Sequence, residues 1–149
     1  MNLCPELRRL SAEHARWVKD LAAGLSGGGP GCAAQLLALW DAEILPHFRR
    51  EEDVLVPELA RRVPEADAAI LMTLADHVGL RRLARELRGA AGAEAEAVAA
   101  RLAARLAEHA AFEEGTLFPM AQEELGCARL AALGAELEYP RPNRKGTKP

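Results

Sequence analysis

The chain has 149 residues and a mass of 16.0 kDa, enough for one domain with a sizeable core. Half of the residues are apolar, only 4% are aromatic, and the formal net charge is −3. This composition favours helices, offers no basic surface for nucleic acid, and contains neither an apolar leader nor a run of ~18 apolar residues that could span a membrane.

A first helix is predicted over residues 3–25, with Pro5 in its first turn, where a missing N–H costs nothing. Leu7, Leu10, His14, Trp17, Val18, Leu21 and Leu25 follow the 3.6-residue period, so His14 lies inside the apolar stripe. Ser26 to Gly31, rich in glycine, breaks that helix. A second helix over residues 32–62 turns Leu36, Leu37, Trp40, Ile44, His47, Glu51, Val54 and Leu55 inward. Pro46 and Pro57 each remove a backbone donor from it, and a kink or bulge is expected there. Pro64-Glu-Ala-Asp67 is expected to open a third helix, whose face reads Ile70, Thr73, Leu74, His77, Leu80, Ala84 and Leu87. A fourth, over residues 93–124, carries Val98, Leu102, Leu106, His109, Glu113, Leu117 and Met120 inward. Gly126 ends it, and residues 127–137 add a short fifth helix. Residues 1–138 therefore read as one all-α, antiparallel up-down-up-down four-helix bundle with a short C-terminal helix. Residues 139–149, basic and proline-rich, read as a disordered tail with no nucleic-acid role.

One pattern is written twice. His47, Glu51, Glu52, Leu55 and Pro57 recur at the same offsets as His109, Glu113, Glu114, Leu117 and Pro119. Each copy trails another histidine: His14 stands 33 positions before His47, and His77 stands 32 before His109. These four are all the histidines in the chain. Each falls near the midpoint of its helix, and midpoints of antiparallel neighbours share a layer, so the four imidazoles should converge. A lone histidine on an apolar face is more often a hydrogen-bonded core residue. Four in one layer with two glutamates reverse that balance, since two buried carboxylates without a cation are very costly.

His and Glu at i and i+4 lie ~40° apart on the helix wheel and reach one site. His14, His47, Glu51, His77, His109 and Glu113 are too many ligands for one tetrahedral zinc ion. They suit two five- or six-coordinate metals sharing both carboxylates, with water, oxide or hydroxide completing the set. Iron fits the donor set best, with zinc and manganese also possible. No Glu stands three positions before a histidine, which separates this pattern from carboxylate-rich ferritin-like sites. Which histidines share a metal does not follow from spacing. Glu52 and Glu114, at i+5 from their histidines, point ~140° away and read as solvated or supporting groups. Thr73 reads as a core hydroxyl bonded to its own helix rather than a contact to a bound diatomic. Arg81 is expected to extend outward, and Trp17, Trp40, Phe112 and Phe118 to fill the core. Cys4, Cys32 and Cys127 are odd in number and widely spaced without a CxxC pair, which points to a reducing compartment, by default the cytoplasm, rather than a disulfide framework.

With His14, the two His-x3-Glu pairs, His77 and the Glu-Glu-x-x-Leu-x-Pro continuations, the chain resembles the hemerythrin-like (HHE) family of non-haem di-iron proteins. The resemblance spans the first helix to the fourth. It implies two iron ions bound by these six residues, with Glu51 and Glu113 as bridges. It also implies O2, NO or peroxide as the small-molecule ligand, in a protein that binds or senses such ligands or holds iron. The alternative it implies is a di-iron enzyme, a peroxidase or an NO-reducing or iron–sulfur-repair activity. Oxygen carriers of this family have a fifth histidine one turn from another on the third helix. Here the positions a turn either side of His77 are Thr73 and Arg81.

Overall fold

In the computed structural model, residues 2–26 and 32–138 are described, and among them every regular element is helical. Helix α1 is Pro5–Ser26. Helix α2 occupies residues 32–59, α3 is Ala68–Gly89, and α4 occupies residues 92–125. Gly126, at φ 75° and ψ 156°, then breaks the helix, a left-handed conformation that glycine adopts without a Cβ penalty. Residues 127–138 form the short helix α5, as the sequence predicts. The third helix starts later than expected. Residues 64–67 form a turn before it, and Asp67 is the cap, its Oδ1 accepting from the Ala69 N–H at 2.8 Å. The expected tail, residues 139–149, lies outside the described residues, as does the glycine-rich link at 27–31.

Two helices carry π-helical turns where the backbone loses a donor. Each of Trp40–Ile44, Glu51–Leu55 and Glu113–Leu117 is a turn in which the next residue's N–H reaches back five positions: Leu45 to Trp40, Val56 to Glu51, Phe118 to Glu113. The residue after each donor is a proline: Pro46, Pro57 and Pro119. A proline ring clashes with the carbonyl four residues back and has no N–H to give it, and an extra residue in the preceding turn relieves the clash. Glu51 and Glu113 thus open π turns at equivalent points of the two repeats. The bulges expected at Pro46 and Pro57 are present, and the repeat places a third before Pro119.

The core has two apolar compartments. One gathers Leu7, Leu10, Leu55, Leu59, Ile70, Leu117, Phe118 and residues of α5. The other gathers Trp17, Leu36, Ile44, Phe48, Leu80, Leu83, Leu102 and Leu106. Along α1 the order is Leu10, His14, Trp17; along α3 it is Ile70, His77, Leu80. Along α2 and α4 it runs the opposite way: Ile44, His47, Leu55, and Leu106, His109, Leu117. This is the antiparallel bundle, and the histidines form the layer between the compartments. Phe112 and Met120 are only half-buried, at the edge of the first compartment.

The same antiparallel arrangement corrects the cysteine expectation. The start of α1 and the start of α5 meet at one end of the bundle, where Cys4 and Cys127 form a disulfide with their Cα atoms 5.6 Å apart. Cys32 is the free thiol. A separation of 123 residues gave no cue to this pairing, because only the fold brings the two ends together.

Candidate metal centre

His47, His77, Glu51 and Glu113 are fully buried, and His14 and His109 are 1% exposed. They form two groups. His14 and His47 close with Glu51 and Glu113 on one side, and His77 and His109 close with the same two glutamates on the other. Consecutive helices therefore supply each pair of imidazoles, the assignment that spacing left open. Within the pairs, the Nε2 atoms stand 3.0 Å apart for His14 and His47 and 3.1 Å for His77 and His109.

Each glutamate touches both pairs. Glu51 Oε1 lies 2.9 Å from His47 Nε2 and its Oε2 lies 3.3 Å from His77 Nε2. Glu113 Oε2 lies 3.2 Å from His14 Nε2, and its Oε1 lies 2.8 Å from His109 and 3.5 Å from His77.

The outward side of the imidazoles explains why the Nε2 atoms turn inward. His47 Nδ1–H donates to Glu13, His77 Nδ1–H to Glu52 at 2.8 Å, and His109 Nδ1–H to Asp76 at 3.2 Å. A carboxylate only accepts, so in the neutral ring Nδ1 bears the proton and Nε2 keeps a lone pair to offer a cation. His14 Nδ1 sits 3.4 Å from Glu114 without forming a hydrogen bond to it. The pattern runs round the bundle. Helix α1 supports the histidine of α2, α2 that of α3, α3 that of α4, and α4 faces that of α1. A further group anchors each acid: Arg50 donates to Glu13 at 2.7 Å, Arg81 to Glu52 through two bonds of 2.7 and 2.9 Å, and Ser11 Oγ to Glu114 at 2.8 Å. Arg105 lies 3.6 Å from Asp76.

Glu52 and Glu114 are thus supporting groups, one firmly placed and the other exposed. Arg81 turns to Glu52 instead of simply extending into solvent. Glu13 and Asp76 escaped sequence reasoning, though each immediately precedes a histidine, just as Glu52 and Glu114 immediately follow a glutamate of the repeat. Thr73 was expected to bond its own helix, but its buried hydroxyl has no partner.

Without a cation this arrangement is electrostatically poor. All four carboxylate oxygens of Glu51 and Glu113 are buried, and the groups nearest them are the imidazole Nε2 atoms, which offer only lone pairs while the rings are neutral. Protons fill in for the missing charge. Burial opposes the imidazolium of His47, but the carboxylates of Glu51, Glu13 and Glu113 outweigh it and raise the pKa to about 9. His77, likewise penalised by burial, is pushed up to about 11 by Glu113, Glu51 and Glu52. Burial works against the Glu113 carboxylate too, yet His109, His14 and His77 hold it well below the usual range. Glu13 and Glu52 are lowered to about 2, where bonds to a histidine and an arginine overcome desolvation.

The donor set fits a pair of cations. Two nitrogens each ~2.1 Å from one ion and at right angles to it lie ~3.0 Å apart, the spacing seen within each histidine pair. Aromatic rings wall the layer. Phe48 stacks on His77 with centroids 3.9 Å apart, and Phe118 stacks on His14 at 5.5 Å. Trp17 lies against both His14 and His47, its indole N–H donating to Glu43 at 3.0 Å.

Fold and site together define a class: an all-α bundle with a buried, histidine-rich site for cations at its middle. Comparison with known families makes the class specific. Residues 2–121 match the hemerythrin HHE cation-binding domain, and the chain belongs to that family. No curated protein and no solved structure gives a match. The protein is a metal-binding one, and among the described residues no helix is long and apolar enough to cross a membrane.

Proposed function

We propose that the bundle holds two iron ions, one between His14 and His47 and the other between His77 and His109. Glu51 and Glu113 bridge them. The observation that carries this is the sharing of both buried carboxylates by both histidine pairs. One bridge could be a packing accident; two buried ones, each touching both pairs, demand compensating positive charge. Imidazole and carboxylate together favour iron, while zinc and manganese are tolerated by the same donors.

When bound, such a pair of irons supplies reversible redox chemistry toward O2, NO or peroxide. The chain's own part is to orient the ligands and to keep water out. The outer acids fix the imidazole tautomers, and Phe48, Phe118 and Trp17 cover the layer. Binding or sensing of those small molecules, or storage of iron, is the role this arrangement supports. The partner proposed is the small ligand. The cytoplasm was expected from cysteines read as unpaired, a ground that the Cys4–Cys127 pair removes. The Cys4–Cys127 disulfide pulls toward an oxidising setting, and thiol trapping in cells decides between them.

The test is to expose the reduced, iron-loaded protein to O2, NO and peroxide in turn. A stoichiometric spectral change that reverses on ligand removal supports binding or sensing. Sustained consumption of NO or peroxide with an added electron donor supports the enzymatic alternative. No response to any of the three contradicts both.

A further inference from the structure

Among the described residues, the buried side-chain atoms without a hydrogen-bond partner cluster at the metal layer: Glu51, Glu113, the Nδ1 of His14, and one group that is not a ligand, the Thr73 hydroxyl. Glu6 is the exception, at the far end of α1. Thr73 is fully buried. A helical threonine ordinarily satisfies its hydroxyl on the carbonyl three or four residues back, and here it does not. Leaving a buried hydroxyl unsatisfied is unfavourable, so something absent from the polypeptide is its natural partner.

The topology gives its position. Glu51 and Glu113 follow their histidines by four residues on α2 and α4, toward the compartment of Leu55, Leu117 and Ile70. Helix α3 runs the other way, so the residue four before His77 lies at that same level. That residue is Thr73, on the buried face and about 5–6 Å from His77 between Cβ atoms. The corresponding residue on α1, four before His14, is Leu10, also buried. The layer beside the imidazoles thus contains two carboxylates, one hydroxyl and one leucine. The hydroxyl belongs to the His77–His109 side, and the leucine to the His14–His47 side.

We infer that the centre is chemically asymmetric: a small anionic or diatomic ligand is taken up on the His77–His109 side, where Thr73 Oγ1 donates a hydrogen bond to it, while Leu10 leaves the His14–His47 side without a donor. This rests on the proposed di-iron reading and deepens it by assigning the side that receives the ligand. Thr73 is a positioning and specificity group, not a metal ligand. The ligand class is a species of a few atoms that accepts a hydrogen bond.

Azide, a linear anion of that size, is the probe, with Thr73→Val and Thr73→Ser as variants. The valine keeps the shape and removes the hydroxyl; the serine keeps the hydroxyl. Two readouts are needed. In the metal-free proteins, Thr73→Val should raise the melting temperature by roughly 2–6 °C, because an unsatisfied donor is removed. A lower melting temperature, or failure of Thr73→Val to fold, would mean that the hydroxyl is bonded within the protein and would overturn the inference. In the iron-loaded proteins, both variants should retain the wild-type iron content. Thr73→Val should bind azide about tenfold more weakly or worse, and Thr73→Ser within about threefold of wild type. Equal azide affinity in wild type and Thr73→Val would place the ligand elsewhere and overturn the assignment. Wild-type protein that takes up no iron would overturn the di-iron reading itself, a result distinct from either of these.

Discussion

Replacing Glu113 by glutamine keeps the size of the side chain and removes its charge. In the structure one Glu113 oxygen faces His14 and the other faces His109 and His77, so both subsites lose a charged donor at once. Removing a mere outer partner of a metal ligand commonly costs about 10–100-fold in affinity. Loss of a direct carboxylate should therefore reach at least about 100-fold, or about 2.8 kcal/mol, at each subsite. If wild type is measured with iron at about 1,000 times its dissociation constant, bound iron contributes about 4.1 kcal/mol per site. A hundredfold loss leaves about 1.4 kcal/mol per site, a deficit near 5 kcal/mol over two sites. For a chain of this size that corresponds to a melting temperature lower by about 10–20 °C. The assay pairs iron analysis after dialysis with thermal melts in the presence and absence of a chelator. Chelator should lower the melting temperature of the variant by only about 6–11 °C, against about 16–33 °C for wild type. Two irons per chain and a wild-type, chelator-sensitive melt in Glu113→Gln would refute the bridging argument.

The outer acids should behave differently. Glu52→Ala leaves His77 Nδ1 without its acceptor, so iron affinity should fall about 10–100-fold while content at saturating iron stays near wild type; less than half the content would mean that Glu52 is itself a ligand. In the metal-free chain, His47 and His77 are raised above 6.5, so the stability they contribute is full below that pH and is lost as pH rises through about 9 and about 11. Glu13 and Glu52 are lowered from 4.5, so theirs is full above that value and is lost as pH falls toward about 2. Metal-free protein should accordingly melt highest between about pH 4.5 and 6.5, and calorimetry showing a rise from pH 6.5 to 9 would contradict the protonated site. Cys127→Ser opens a cross-link spanning 123 positions and should lower stability by about 2–4 kcal/mol without changing iron content; an unchanged denaturation midpoint would argue that the disulfide does not form.

The helices and the six central residues were legible because they obey local rules. A 3.6-residue period places each histidine on an apolar face, and an i, i+4 spacing keeps Glu51 and Glu113 with their histidines. Pro46 and Pro57 likewise marked two of the three places where the backbone bulges. What escaped depends on which helix neighbours which. Glu13 serves a histidine on α2 and not its own neighbour His14, and Asp76 serves His109 and not His77, so only the handed order of the helices reveals them. The pairing of His14 with His47 is hidden for the same reason, and so is the meeting of Cys4 with Cys127 at one end of the bundle. Thr73 was misjudged because a bond to its own helix is the usual fate of such a residue, and only the folded structure shows that the bond is missing.

The central claim is that the shared carboxylates and four imidazoles hold two irons. It is tested most directly by titrating metal-free protein with ferrous iron under anaerobic conditions, then measuring bound iron and the visible spectrum on admission of O2. About two irons per chain, with charge-transfer absorption that appears with O2 and bleaches on reduction, is the result expected. Iron-free protein after that titration, with the melting temperature unmoved, would mean that the buried histidine layer serves packing alone.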